Sequence, residues 1–181
     1  MKYSSQENRL IEKIKAAIPD VTPGVTARAY HMGRMVCDIN VGQTYPYYDL
    51  ASLTKVIFTQ QSIMEAFDQN LWNLETKVVD VLPDFKHANI LITELLTHTS
   101  GLEWWLPFYK TIDLSIGWKE KRNWIYQQVN NSTLNKTGKA VYSDLGIIII
   151  GFILEKLHNK NILEIWNGIK ERYYPTTTFD F

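Results

Sequence analysis

The sequence predicts an α+β fold, an N-terminal helix and β-hairpin followed by a mainly helical region. Three observations carry this reading. Apolar residues recur at helical spacing from Ser5 to Ile18, two short extended runs flank Met32-Gly33, and beyond Gly42 the apolar period is helical almost to the end.

Each element has its own signal. Leu10, Ile11, Ile14, Ala17 and Ile18 share one helix face, and Pro19 ends that helix. Thr22-Pro23-Gly24 breaks the chain, after which Val25 to Tyr30 and Arg34 to Val41 read as the strands of the hairpin. Two strands make a marginal sheet, and no further convincing strand follows. Ser52 to Gln69 reads as a strong helix, with Ala51 or Ser52 near its N-terminus. Thr93 to Thr97 begins a shorter helix stopped by Gly101, and Leu114 to Val129 forms another. Asp144 to Leu157 is so apolar that it should be buried, and Ile162 to Tyr173 is a last helix closed by Pro175. Without repeats, low-complexity runs or a linker, residues 1–181 read as a single domain. Residues 1–45 are its helix-and-hairpin part and residues 46–181 its mainly helical part.

Composition narrows the function classes. Hydrophobic residues make up 45% and charged residues 21% of 181 positions, the balance of a globular chain with one core. Nineteen basic and nineteen acidic residues cancel, so nothing favours nucleic acid or an anionic surface. Cys37 is the one cysteine, which excludes an internal disulfide and a thiolate metal cluster. His31, His87 and His158 lack ligand spacing, so no metal site is expected, and no pattern in the chain implies another cofactor. The apolar run from Leu145 to Leu154 is too short to span a bilayer, so no membrane span is expected. Met1 to Ala17 does not read as a signal peptide, and the compartment stays open.

Three local patterns carry chemistry. In Ser52-Leu53-Thr54-Lys55 a serine and a lysine lie about one helical turn apart on one face. A serine hydroxyl is a poor nucleophile until a base takes its proton, and a partly desolvated lysine can be that base. With eight serines and fourteen lysines, such a spacing arises by chance in roughly half of chains of this composition, so it is not diagnostic alone. The second pattern is Leu95-Leu96-Thr97-His98-Thr99-Ser100-Gly101-Leu102. The third is Val141-Tyr142-Ser143-Asp144-Leu145-Gly146, which opens the apolar helix.

Taken in order, and with Leu82-Pro83-Asp84-Phe85 between the first two, these patterns resemble the serine β-lactamase and penicillin-binding-protein superfamily. The likeness is greatest to its class C-like branch of β-lactamases, esterases and D-amino-acid peptidases, and it runs from about Pro23 to Phe181. The resemblance implies a β-lactamase/transpeptidase-like fold and a serine hydrolase that works through an acyl-enzyme. Its substrate would be a small ester, amide or β-lactam. It makes Ser52 the nucleophile, Lys55 its base or the group that keeps the base deprotonated, and Tyr142 a proton shuttle to the leaving group. Asp144 stands where relatives often carry asparagine. A carboxylate near Lys55 raises the lysine pKa, so Asp144 should tilt the proton chemistry toward Tyr142. Trp104 and Trp105, followed by Phe108 and Tyr109, are candidates for the lip of the substrate cleft.

Plainer readings compete at each position. Ser52 and Ser143 could be helix N-caps, Tyr142 a half-buried core aromatic, and Trp104 and Trp105 loop packing. His98 is expected to serve a structural turn, without a catalytic role. Lys136-Thr137-Gly138 imitates the third motif of the superfamily but precedes Tyr142, so Gly138 is read as a turn.

That third motif should follow a long stretch after Tyr142, on a strand that lends one backbone N–H to the oxyanion hole. Only thirty-seven residues follow Asp144, ending in Thr176-Thr177-Thr178-Phe179-Asp180-Phe181. The C-terminal strands of the sheet are therefore expected to be missing and the domain incomplete. The chain is either a fragment or a truncation. Retention of both Ser52 and Lys55 favours the fragment. A small-molecule substrate, and either a complementary C-terminal segment or self-association, are the expected partners. The alternative is a non-catalytic sensor or binding domain that keeps the fold.

Overall fold

A computed structural model describes residues 4–177, so the final residues of the expected Thr-Phe passage, 178–181, lie outside it. The chain forms two compact units, Met1–Leu50 and Ala51–Phe181.

In the first unit α1 spans Ser5–Ala17 and starts with a capping box. The Glu7 N–H donates to Ser4 Oγ (3.2 Å), and the Ser4 N–H donates to Glu7 Oε2 (2.7 Å). Strands β1 (Gly24–His31) and β2 (Arg34–Gly42) pair antiparallel, with Val25 opposite Val41 and His31 opposite Arg34. Met32-Gly33 turns the hairpin, both residues at positive φ. Ile11 and Ile39 are buried, whereas Tyr30, Met35 and Val36 stand in solvent. Among the described residues the sheet has these two strands.

The second unit is helical. A π-helical segment, Lys55–Thr59, runs into α2 (Gln60–Asp68). It is followed by α3 (Val78–Val81), α4 (Ile92–Leu96), α5 (Phe108–Thr111), α6 (Trp118–Asn130), α7 (Asp144–His158) and α8 (Ile162–Tyr173). Helix α7 is the centre of the core. Leu145, Ile149, Ile150, Ile153 and Leu154 on it are fully buried, as its apolar sequence predicts, and it packs on α2, α3, α4, α6 and α8. Burial of each such side chain contributes about 1.5–3 kcal/mol.

Polar contacts fix the ends of the surrounding elements. Asn130 accepts the Lys86 N–H (2.7 Å) and donates to the Asp84 carbonyl (3.0 Å), while the Tyr126 hydroxyl donates to Asp84 (3.0 Å). These bonds pin the Leu82 to Phe85 passage to α6. Glu155 of α7 receives the Arg122 guanidinium from α6 and the Ile162 N–H at the start of α8 (2.7 Å). One carboxylate thus joins three helices.

Some boundaries differ from the sequence reading. The expected helix Ser52 to Gln69 is helical from Leu53 but opens as a wider π turn, in which the Gln60 N–H reaches back to the Lys55 carbonyl. Such widened turns are frequent at functional sites. Helix α6 starts at Trp118 rather than Leu114, because the Asp113 carboxylate binds the Ser115 N–H (2.8 Å) and hydroxyl (2.6 Å) and holds a turn there. Helices α3 and α5 are single turns, too short to show a period. Lys136 pairs with Glu94 (2.9 Å) and Gly138 sits in a bend at φ +72°, so this Lys-Thr-Gly is a turn, as read from its position.

Gly101 ends the turn after α4 at φ +81°, and a Cβ there would lie 2.8 Å from the Lys136 backbone N. Gly146, inside α7, has ordinary room: its nearest neighbour would be the Leu95 carbonyl at 3.6 Å. Gly101→Ala should therefore lower stability by about 2–4 kcal/mol through left-handed strain and overpacking. Gly146→Ala should be neutral or gain up to about 1 kcal/mol of helix propensity. Urea unfolding midpoints of the two variants check this contrast.

Candidate active site

The site forms where the start of the π segment meets the start of α7. Ser52 lies in the turn before the helix, at the surface, and the residue before it, Ala51, has φ +45°. A positive φ is uncommon for alanine and stores strain in the backbone that presents Ser52. Three other non-glycine residues at positive φ have local reasons: Met32 in the hairpin turn, and Asn70 and Asn159 at helix ends. The fifth is His98, also at this site.

Lys55 is one turn along from Ser52, and its ammonium donates to Ser52 Oγ at 3.2 Å. Ser52 Oγ is also 2.9 Å from the Tyr142 hydroxyl, ninety positions away in sequence. Asp144 Oδ1 lies 2.8 Å from Lys55 Nζ, and the lysine sits 5.2 Å from the centroid of the Tyr142 ring. Ser52, Lys55, Tyr142 and Asp144 therefore form one connected cluster. Ser143, between the last two, caps α7: its hydroxyl accepts the Gly146 N–H (3.2 Å) and donates to the Glu103 carbonyl (2.7 Å). Capping turns Ser143 inward and leaves Tyr142 half exposed over Ser52.

Charge in the cluster is unequally shared. Burial pulls the Lys55 pKa down, but hydrogen bonding and attraction to Asp144, with a contribution from Tyr142, outweigh it and hold the ammonium above the ordinary lysine value. The Tyr142 phenol moves the other way. Hydrogen bonding to Lys55, then to Ser52, lowers its pKa against the opposing effects of burial and of Asp144. The cluster thus favours a charged lysine and an acidified tyrosine.

A cavity of about 630 Å³ opens beside Ser52 and Lys55. Val56, Ile63, Met64, Phe67, Trp72 and Leu96 give it an apolar wall, with Thr59, Gln60 and Asp68 as polar points and His98 and Tyr142 at its edge. Trp104 and Trp105 are not among its lining residues. They stack on each other at 5.7 Å, at 63% and 39% exposure, and Trp105 also meets Tyr109 (6.2 Å). The Trp104 carbonyl instead accepts the Asp144 N–H (2.9 Å) and helps to fix the start of α7. A larger hollow of about 920 Å³, around Trp118, Tyr126 and Phe152, holds none of the four clustered residues and has no serine or cysteine in its wall. Among the described residues no group of histidines, cysteines and carboxylates has the arrangement of a metal site.

His98, expected to serve only a structural turn, also takes part in this site. In the structure its ring packs against Tyr142, with centroids 4.8 Å apart. The contact joins positions forty-four apart, and no local spacing announces it.

Residues 9–165 match the family model described as Beta-lactamase. The chain belongs to the beta-lactamase family. It is 30% identical over 144 residues to the N-acetylmuramyl-L-alanine amidase of Bacillus subtilis, which takes in 74% of this chain and 32% of that protein. A penicillin-binding protein of the same organism is 26% identical over 122 residues, or 63% of this chain and 26% of that one. Among solved structures, a D-stereospecific amidohydrolase from Streptomyces superposes with a TM-score of 0.70 at 20% identity, covering 93% of this chain and 54% of its own. FmtA from Staphylococcus aureus gives 0.62 at 17% identity, covering 93% and 48%. The chain therefore spans about a third or less of these curated relatives and about half of the structural ones. The fold is the α+β, β-lactamase/transpeptidase-like fold expected from the motifs.

The Lys55 ammonium is the leading cause of the lowered Tyr142 pKa. Lys55→Met should return the phenol to the ordinary range near pH 10. NMR titration of labelled tyrosine, with Tyr142→Phe to assign the signal, reads the change.

Proposed function

We propose that this chain carries the acylation centre of a serine hydrolase that acts on a small ester, amide or β-lactam. The observation that carries the reading is the hydrogen-bonded run from Lys55 through Ser52 to Tyr142. A lysine held charged by Asp144 has no lone pair, so it donates to Ser52 Oγ and cannot take the serine proton. That leaves the Ser52 proton to Tyr142, whose lowered pKa makes its phenolate accessible.

In the first half-reaction Ser52 Oγ bonds to the substrate carbonyl carbon while its proton passes to the Tyr142 oxygen. The tetrahedral oxyanion collapses, the bond to the leaving group breaks, and Tyr142 returns the proton to the departing nitrogen or oxygen. Water then attacks the Ser52 ester, loses a proton to Tyr142, and releases the acid as Ser52 is reprotonated. Lys55 stays cationic throughout and stabilises the phenolate; Asp144 keeps it cationic. The Ser52 backbone N–H is one candidate donor to the oxyanion. The apolar wall of Val56, Met64 and Phe67 suits an uncharged part of the substrate. Trp104 and Trp105 keep the proposed role of an outer lip, reached only by a substrate that extends beyond the cavity.

Kinship to proteins named amidase, penicillin-binding protein and D-stereospecific amidohydrolase supports amide or ester chemistry at this centre. Incubation with a fluorophosphonate or a fluorescent penicillin, followed by intact mass, tests it. An adduct that Ser52→Ala abolishes is expected. A folded but unlabelled chain favours a non-catalytic binding domain. Tyr142→Phe should slow labelling by roughly a hundredfold or more. The labelling rate should rise with pH as Tyr142 ionises and level off below the pH at which an ordinary tyrosine would.

A further inference from the structure

His98 is half-buried at the edge of the cavity beside Ser52, and two of its polar atoms grip the chain on either side of Tyr142. Its carbonyl accepts the Val141 N–H at 2.8 Å, and its Nδ1 accepts the Ser143 N–H at 3.2 Å. A backbone N–H can only donate, so Nδ1 carries no proton and the ring is the tautomer protonated on Nε2. Between these two bonds the imidazole lies against the Tyr142 ring, 4.8 Å between centroids and tilted by 40°. The anchor is rigid in turn. The His98 N–H bonds the Leu95 carbonyl (3.3 Å), and the Thr99 and Ser100 N–H groups both bond the Glu94 carbonyl (2.8 and 3.1 Å), which ties the turn to α4. His98 itself is held at φ +58°, a conformation that asparagine and glycine adopt more readily. Without the turn the ring would not face residues 141–143.

We propose that His98 is the positioning residue that sets the Tyr142 hydroxyl against Ser52, gripping residues 141 and 143 through its carbonyl and its unprotonated Nδ1. It touches no reacting atom and acts through Tyr142. The assignment rests on the reading of Tyr142 as the proton acceptor of Ser52, but the placement of the phenol is measurable without turnover.

The left-handed backbone supplies a clean pair of variants. His98→Gly and His98→Asn both suit φ +58°, both remove the ring, and only asparagine keeps an acceptor near the place of Nδ1. Thermal melts should confirm that both fold. Labelling of Ser52 by a fluorophosphonate should fall roughly ten- to a hundredfold in His98→Gly, the size of loss expected from a misplaced reacting group, and recover most of the way in His98→Asn. By NMR of labelled tyrosine, the Tyr142 titration should move toward the ordinary tyrosine range in His98→Gly and stay near the wild-type position in His98→Asn. Equal labelling and titration in His98→Gly and wild type would overturn the proposal, and so would a His98→Asn variant as impaired as His98→Gly. A wild-type chain that takes no label would remove the nucleophile reading of Ser52 instead. The Tyr142 titrations of the two variants then decide the role of His98 on their own.

Discussion

The ion pair between Lys55 and Asp144 is the contact on which the rest of the site depends. It joins the first turn of the π segment to the first residue of α7 at 2.8 Å, so it fixes both the distance between two helix ends and the charge between them. A lysine that stays protonated donates to Ser52 and draws down the pKa of Tyr142. A neutral amide in place of the carboxylate would remove the leading raising influence on Lys55 and leave burial opposed by Tyr142 alone. One side chain therefore biases the charge of both hydrogen-bond partners of Ser52.

That contact is supported from behind by packing. Asp144 is the first residue of a helix whose inner face is fully buried, so the core sets its position, while Tyr142 lies two residues before it in the segment that leads into the Ser143 cap. Ser143 closes the helix end on the Glu103 carbonyl, and the Trp104 carbonyl takes the Asp144 N–H. On the opposite side the strain is local: Ala51 and His98 both hold left-handed backbone within this one site. Strained residues persist where the surrounding structure over-determines them. Here the turn of α4 and the packing of α2 against α7 supply that constraint.

The outer surface carries a different message. Val56, Met64 and Phe67 follow one another at helical spacing on the cavity side of the helix and are all more than a third exposed. In the other unit the hairpin likewise turns Tyr30, Met35 and Val36 to solvent. About half of each superposed relative has no counterpart in this chain.

The helices with a long apolar period and the hairpin are legible in local patterning, whereas the family and the four residues of the cluster are legible only through the resemblance of three motifs in order. The local signals are a period of about 3.6 residues and a Gly-containing turn; a serine and lysine one turn apart become informative only with the two later motifs behind them. The sequence by itself missed α3 and α5, since a single turn has no period, and it ran a regular helix through Lys55–Thr59, since a π turn differs by one hydrogen bond and not by composition. Tertiary structure alone decided how the residues act on one another. The Ser52–Tyr142 bond spans ninety positions and the His98–Ser143 bond forty-five, so neither leaves a trace in spacing. The same holds for the tryptophans: their chemistry suits a cleft, but only the folded chain shows Trp104 and Trp105 stacked on each other outside the cavity wall. A side chain's type is written in the sequence; its charge and reach depend on neighbours brought close by burying α7.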